Sequence, residues 1–211
     1  MGDELLTVLA AGGVNLVLTA IGFPLAILVA LATASIRIAA VPVISQILTV
    51  YVDFVRMTPL ILHLFFVFYA LPIVGIRLDS WTAAILTMSL HYGAYLSEAF
   101  RAAYQSVPRG FTEASEVLGM RTLVRLRRMT VPLSVRVAIP PTANTLIDFF
   151  RGTSVVAIVA VPDIVYTALS VIQRNPGSSP LVFALVAAFF VAIVVPATAL
   201  IKRFERKWAW K

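Results

Sequence analysis

Long apolar runs separated by short polar clusters dominate this chain. Val14 to Ile36 carries no charge and predicts a first membrane span over 14–36, since a spanning helix needs about 20 mostly apolar residues. Asn15, Thr19 and Pro24 inside it are tolerable where neighbouring helices satisfy freed polar groups. Leu5 to Ala11 reads as a short apolar leader lying at the interface. Val41-Pro42 breaks the pattern, and a second span follows over 47–71. A turn from Pro72 to Ser80 leads into a third span over 81–104. A polar loop then runs over 105–136. A fourth span covers 139–161, and Pro162 to Pro180 forms a polar connection with room for a short helix ended at Asn175-Pro176-Gly177. The fifth span covers 181–201, and a basic tail carries Trp208 and Trp210 as interface anchors. The pattern predicts a single all-α integral membrane domain of five transmembrane helices.

Composition agrees with lipid as the solvent. The 211 residues are 60% hydrophobic and 13% charged, with mean hydropathy +0.95, more apolar surface than a soluble domain this size can hide. Cysteine is absent, which excludes disulfides, thiol catalysis and thiolate metal sites. Met1-Gly2-Asp3-Glu4 lacks the basic start of a cleaved signal peptide, so the first apolar segment is expected to stay in the membrane.

The net charge of +7 is distributed by topology. Arg101, Arg109, Arg121, Arg125, Arg127, Arg128 and Arg136 border or fill the long loop. Lys202, Arg203, Arg206, Lys207 and Lys211 fill the tail. Only Arg77 and Arg174 fall on the other side. The excess of Lys and Arg marks the cytoplasmic face, so loop and C-terminus are expected inside and the N-terminus outside. Attraction to anionic lipid accounts for the charge without nucleic acid.

Five ionisable residues other than histidine fall within the spans: Asp53, Arg56, Glu98, Asp148 and Arg151. Each costs about 3 kcal/mol in lipid on insertion scales, so each should face a bundle interior, a partner or a water-filled path. Asp53-Phe54-Val55-Arg56-Met57-Thr58 and Asp148-Phe149-Phe150-Arg151-Gly152-Thr153 share the pattern Asp-Phe-x-Arg-x-Thr. An Asp and an Arg three apart share a helical face and can neutralise each other. Both helices run in one direction, as a parallel duplication would require.

At about 1.5 Å per residue, Arg56 and Glu98 lie about 24 Å below the outer ends of their spans. We therefore expect an inner gate or structural charge cluster of Asp53, Arg56, Thr58 and Glu98. A mid-membrane substrate layer is expected at His91, Tyr92, Asp148, Arg151, Thr153 and Ser154. His91 also fits a helix-to-helix hydrogen bond. No second histidine, His63 included, stands at ligand spacing to it, so no metal is expected.

The loop reads Val107-Pro108-Arg109-Gly110-Phe111-Thr112-Glu113-Ala114-Ser115-Glu116-Val117-Leu118-Gly119-Met120. Thr112 or Thr122 can cap a helix, Glu113 and Glu116 suit a positive helix start, and Ala114, Val117 and Leu118 give one apolar side. Gly119 is a natural stop. Glu113-Ala114-Ser115, with Gly119 six residues after the glutamate and Val131-Pro132-Leu133 further on, resembles the EAA loop of ATP-binding-cassette (ABC) importer permeases, with Ser in place of the second Ala. Gly93-Ala94-Tyr95-Leu96-Ser97-Glu98 and Gln105-Ser106-Val107-Pro108 resemble the polar amino acid subfamily, as do Thr153-Ser154 and Val161-Pro162-Asp163.

The resemblance implies a transport subunit of the bacterial inner membrane that is not an enzyme and carries no cofactor. It would work beside a second permease, two ATPase subunits that bind ATP and Mg, and an extracytoplasmic substrate-binding protein. Glu113, Ala114, Ser115 and Gly119 would couple it to the ATPase. No glycine-rich phosphate loop occurs in the chain. His91-Tyr92 and Arg151-Gly152 depart from the subfamily's Asn-Ser and Lys-Asp, which points to a bulkier or modified substrate such as an opine or a compatible solute. The alternative class is a membrane scaffold or channel subunit without an ATPase. An intramembrane enzyme is disfavoured, because His91 and Glu98 stand about two turns apart with nothing to complete a site.

Overall fold

The computed structural model describes residues 2–208, without the side chains of residues 109 and 204–208. The anchor expected at Trp210 and the terminal Lys211 lie outside the described residues, as does the side chain of Trp208. Among the described residues every element is helical.

Helix α1 spans Gly2–Ile38 without a break. The expected leader is therefore no separate interfacial helix but the first turns of a rod about 56 Å long. Nothing between Ala11 and Val14 interrupts its hydrogen bonds, and Pro24 is absorbed in mid-helix. Its packing face is built from small residues: Gly22, Ala26, Ala30 and Ala34 are all buried. They receive helix α4, Ser80–Gln105, whose Gly93 lies so close that a Cβ there would sit 2.7 Å from Val29 Cγ1. Lipid offers apolar side chains no net gain on association, so such bundles depend on close backbone approach.

The expected second span is broken. Helix α2, Ile44–Met57, meets the helical arm Leu60–Val74, which opens with helix α3, Leu60–Phe65, at 112°. Pro59 has no N–H to continue the ladder and forces the preceding residue out of the helical region, and Thr58 is extended at φ −119°, ψ 141°. A π-turn over Phe66–Ala70 and a 3-10 turn over Leu71–Val74 finish this arm. Asp79 then caps α4 by accepting from Thr82 N at 2.9 Å and Thr82 Oγ1 at 2.6 Å. The Thr82 hydroxyl and backbone amide hold its carboxyl below the usual range.

Helix α5, Arg109–Val117, is followed by α6, Thr122–Arg125, which runs through a π-turn into α7, Val131–Gly152. The second half of the expected loop is thus helix. A 3-10 stretch over Thr153–Val159 ends at Ala160 in the left-handed region, so the expected fourth span loses its α-helical form after Gly152. Helix α8, Ile164–Arg174, and helix α9, Ser179–Trp208, complete the chain. Among the described residues two helical segments, Gly2–Ile38 and Pro176–Arg203, are long and apolar enough to cross a membrane unbroken, and two bent pairs qualify as interrupted spans. The α1–α4–α7 contact forms the core around Leu18, Phe23, Met88, Leu96 and Phe149, while α8 and α9 close a second cluster over Val8.

Candidate functional site

The mid-membrane candidates separate into three arrangements. The first is a buried polar node. Asn15, Thr153 and Asp163 are fully buried. Asn15 Nδ2 donates to Thr153 Oγ1 at 2.9 Å and to Asp163 Oδ2 at 3.1 Å, and its Oδ1 accepts from Ile164 N at 3.2 Å. Asp163 Oδ1 caps α8 by accepting from Tyr166 N at 2.8 Å. One asparagine thereby joins α1, the 3-10 stretch and the start of α8. Thr153 is therefore committed to the fold. Sequence reasoning missed Asn15 and Asp163 as partners, because they stand 148 residues apart. The usable signal was an Asn inside an otherwise apolar span.

The second arrangement is exposed. Asp148 and Arg151 lie one turn apart on α7 with an ion pair at 3.6 Å and side-chain exposures of 62% and 57%. Tyr92 on α4 donates its hydroxyl to Asp148 O at 2.8 Å, and its ring packs on Phe149 at 4.9 Å. This contact requires Gly152, since a Cβ there would lie 2.2 Å from the Tyr92 hydroxyl. The two departures read at Tyr92 and Gly152 are one steric unit. Ser154 Oγ donates to Arg151 O at 2.8 Å and closes the turn.

The third arrangement is a chain of imidazoles. His63, brought back by the bend at Pro59, places Nδ1 at 3.1 Å from His91 Nδ1 and Nε2 at 2.5 Å from Thr58 Oγ1. The sequence spacing of His63 and His91 gave no hint of this, because the 112° bend creates it. Thr58 donates to Phe54 O at 2.7 Å, so His63 Nε2–H donates to Thr58 Oγ1. His63 Nδ1 is then bare and accepts from His91 Nδ1–H. His91 Nε2 is left as an acceptor, with no hydrogen bond among the described residues. The helix-to-helix hydrogen bond expected of His91 is present. Among the described residues no group of three His, Cys, Asp or Glu could hold a metal.

The inner cluster differs from expectation. Glu98 Oε2 accepts from Arg37 Nη1 at 2.8 Å, and Glu98 Oε1 accepts from Arg101. Arg37 is nearly buried and also donates to Thr49 Oγ1 at 3.2 Å, which ties α1, α2 and α4 together. Asp53 and Arg56 are exposed and form no ion pair with each other or with Glu98 among the described residues. Arg56 instead lies over the Tyr95 ring at 5.9 Å, with Tyr95 Oη donating to Arg56 O at 3.3 Å. Glu98, expected in one cluster with Arg56, is claimed instead by Arg101 of its own helix and Arg37 of α1.

On the loop, α5 leaves most of its described residues exposed. Leu118 and Gly119 end it in a Schellman turn: Gly119 N donates to Glu116 O at 2.9 Å and Met120 N to Ser115 O at 3.0 Å. Gly119 has φ +67°, which favours glycine. Neither threonine caps a helix: Thr112 lies inside α5, whose cap position is Pro108, and Thr122 opens α6 behind Arg121. Ser115 is buried and donates to Thr112 O at 2.6 Å. Glu113 and Ala114 are exposed, and Val117 and Leu118 are 88% and 73% exposed. Glu116 pairs with Arg125 at 2.6 Å, fixing α5 against α6.

Comparison with known proteins places this geometry. A family model described as "Binding-protein-dependent transport system inner membrane component" matches residues 22–210. The L-cystine transport system permease protein TcyB of Bacillus subtilis (strain 168) is 34% identical over 200 residues, covering 93% of this chain and 85% of that protein. The glutamine transport system permease protein GlnP of Escherichia coli (strain K12) is 29% identical over 160 residues, covering 75% of this chain and 73% of that protein. A crystal structure of an amino acid ABC transporter with histidines superposes with TM-score 0.89 at 23% identity, over 95% of this chain and 94% of that one, a likeness of fold.

Proposed function

The chain belongs to the family of binding-protein-dependent transport system inner membrane components, and from that premise we propose that it is the permease subunit of an ABC importer for a polar amino acid or amino acid derivative. It does no covalent chemistry; ATP is bound and hydrolysed on partner ATPase subunits. The relatives that carry this reading are permeases of cystine and glutamine transport systems.

In this reading the chain sits in the bacterial inner membrane and crosses it five times, with the N-terminus outside and the tail inside. It works beside a second permease subunit, two ATPase subunits and an extracytoplasmic binding protein. One observation carries the coupling role: α5 presents Ala114, Val117 and Leu118 to solvent, while the Glu116–Arg125 pair ties the helix to α6. An exposed apolar face on a small rigid helix suits docking in a partner's cleft. Glu113, Ala114, Ser115 and Gly119 then transmit ATP-driven movement to the spans, which alternate between outward-open and inward-open states. We assign solute contact to the exposed Asp148–Arg151 pair, which offers one charge to a carboxylate and the other to an ammonium group. Tyr92 flanks it, His91 stands next to Tyr92 on α4 as a further solute contact, and Thr153 and Ser154 shape the turn behind. Asp53, Arg56, Thr58 and Glu98 belong to the inner gate region. Co-purification tests the assembly: the tagged chain should bring down an ATPase, and Val117→Asp should lose it while still inserting. Retention of the ATPase by that variant would refute the docking role of α5.

A further inference from the structure

The bend between α2 and α3 leaves a cavity of about 500 Å³ against α4. Its walls are apolar, with Phe54, Leu62 and Phe66 among them, and no lining residue is an Asp, Glu, Lys or Arg. Two polar groups on its walls lack a protein partner. One is His91 Nε2, left as an acceptor by the imidazole chain. The other is Thr87 Oγ1, buried and without a hydrogen bond among the described residues.

Among the described residues, Thr87 Oγ1 alone is a buried side-chain polar atom without a hydrogen bond. Thr7, Thr19, Thr49, Thr142, Thr145 and Thr198 all turn their hydroxyls back onto the carbonyl four residues earlier. That bond is the ordinary way for a helical threonine to satisfy itself in an apolar setting. Thr87 forgoes it and lines the cavity instead. An unmade hydrogen bond at a buried hydroxyl is costly, and an orphaned group in a folded protein calls for an explanation. A roomy apolar cavity with a few convergent polar groups is the usual form of a small-molecule site.

We propose that this cavity is a binding site for an uncharged, largely apolar molecule or side chain that carries one hydrogen-bonding group, met by Thr87 Oγ1 and His91 Nε2. The lining holds no opposite charge to neutralise an ion, and an unpaired ion there is strongly disfavoured. The chemistry fits the side chain of a transported amino acid, a source that rests on the permease reading. It equally fits a free molecule that partitions into the membrane.

The test uses the full chain in lipid nanodiscs with indole as the probe and 1-methylindole, which has no N–H, as its control. Indole should bind about 5-fold more tightly, the size of one net hydrogen bond. Thr87→Val keeps the shape and removes the hydroxyl. It should erase most of the indole preference and raise the melting temperature of the empty protein, because the orphaned group is gone. A merely structural threonine would give a lower melting temperature on the same change. Equal affinity for both probes, or an indole preference untouched by Thr87→Val, would overturn the proposal. A second arm assigns the source in the assembled importer. If indole raises the half-saturating concentration for amino acid uptake at constant maximal rate, the cavity serves the solute's path. If it lowers the maximal rate alone, the ligand is a separate molecule. Should no amino acid be taken up at all, the permease reading fails, while the nanodisc result still decides the cavity.

Discussion

Two segments with one sequence pattern have opposite fates here. Asp53 to Thr58 ends α2, and Asp148 to Thr153 ends α7. In the second copy Asp148 and Arg151 form the ion pair that helical spacing allows, while Thr153 is buried on Asn15. In the first, Asp53 and Arg56 do not pair, Arg56 covers Tyr95, and Thr58 meets His63. The residue after each threonine explains much of this. Pro59 turns the chain by 112°, whereas Ser154 lets it continue as a 3-10 turn. The second difference is Met57 against Gly152, where only the glycine admits Tyr92. Spacing on a helix thus states which side chains can meet; the flanking residues and the neighbouring helix decide whether they do.

The largest effect should come from the buried copy. Asn15→Leu removes donors from Thr153 and Asp163, leaving a fully buried carboxylate without its asparagine partner. We expect a loss of about 3 kcal/mol, read by thermal or denaturant unfolding in nanodiscs. Thr58→Val in the first copy should cost about 1 kcal/mol. Equal losses would dissolve the contrast.

Next in size is Gly152→Met, which gives the second copy the first copy's residue. Tyr92 must then leave α7, at about 1–3 kcal/mol, and Tyr92→Ser in the same chain should recover most of the loss. Additive losses would show that Gly152 does not act through Tyr92. Met57→Gly, at an exposed position, should cost only the helix propensity of about 1 kcal/mol.

The smallest stability effect, with a large functional one, is expected at the exposed pair. Asp148→Ala and Arg151→Ala should each change stability by less than about 1 kcal/mol but lower amino acid uptake about 10-fold, as loss of a charge-assisted contact to solute would. Unchanged uptake in both would remove this pair from the solute's path.

Much of the fold was legible in the sequence. The runs around 14–36 and 181–201 lie within long helices, and Gly119 was read as a helix stop because a left-handed position favours glycine. What stayed hidden depends on long-range geometry. The His63–His91 contact exists only because Pro59 folds the arm back. Glu98 chose Arg37, which stands just past the expected first span 14–36, over Arg56. Asn15 looked tolerable rather than central, since its partners lie at the other end of the chain. The Thr112 and Thr122 caps failed because Pro108 and Arg121 already occupy the cap positions.

The coupling role of α5 is tested most directly by ATP-driven accumulation of labelled L-cystine and L-glutamine in proteoliposomes holding the chain with its co-purified ATPase and binding protein. Gly119→Val forces a β-branched side chain into the left-handed region, at about 1–2 kcal/mol, and disorders the turn that ends α5. We expect the wild-type importer to concentrate at least one of these solutes, and the variant to insert normally yet accumulate it about 10-fold more slowly. Accumulation by the variant at the wild-type rate, or by the wild type without ATP, would contradict the account.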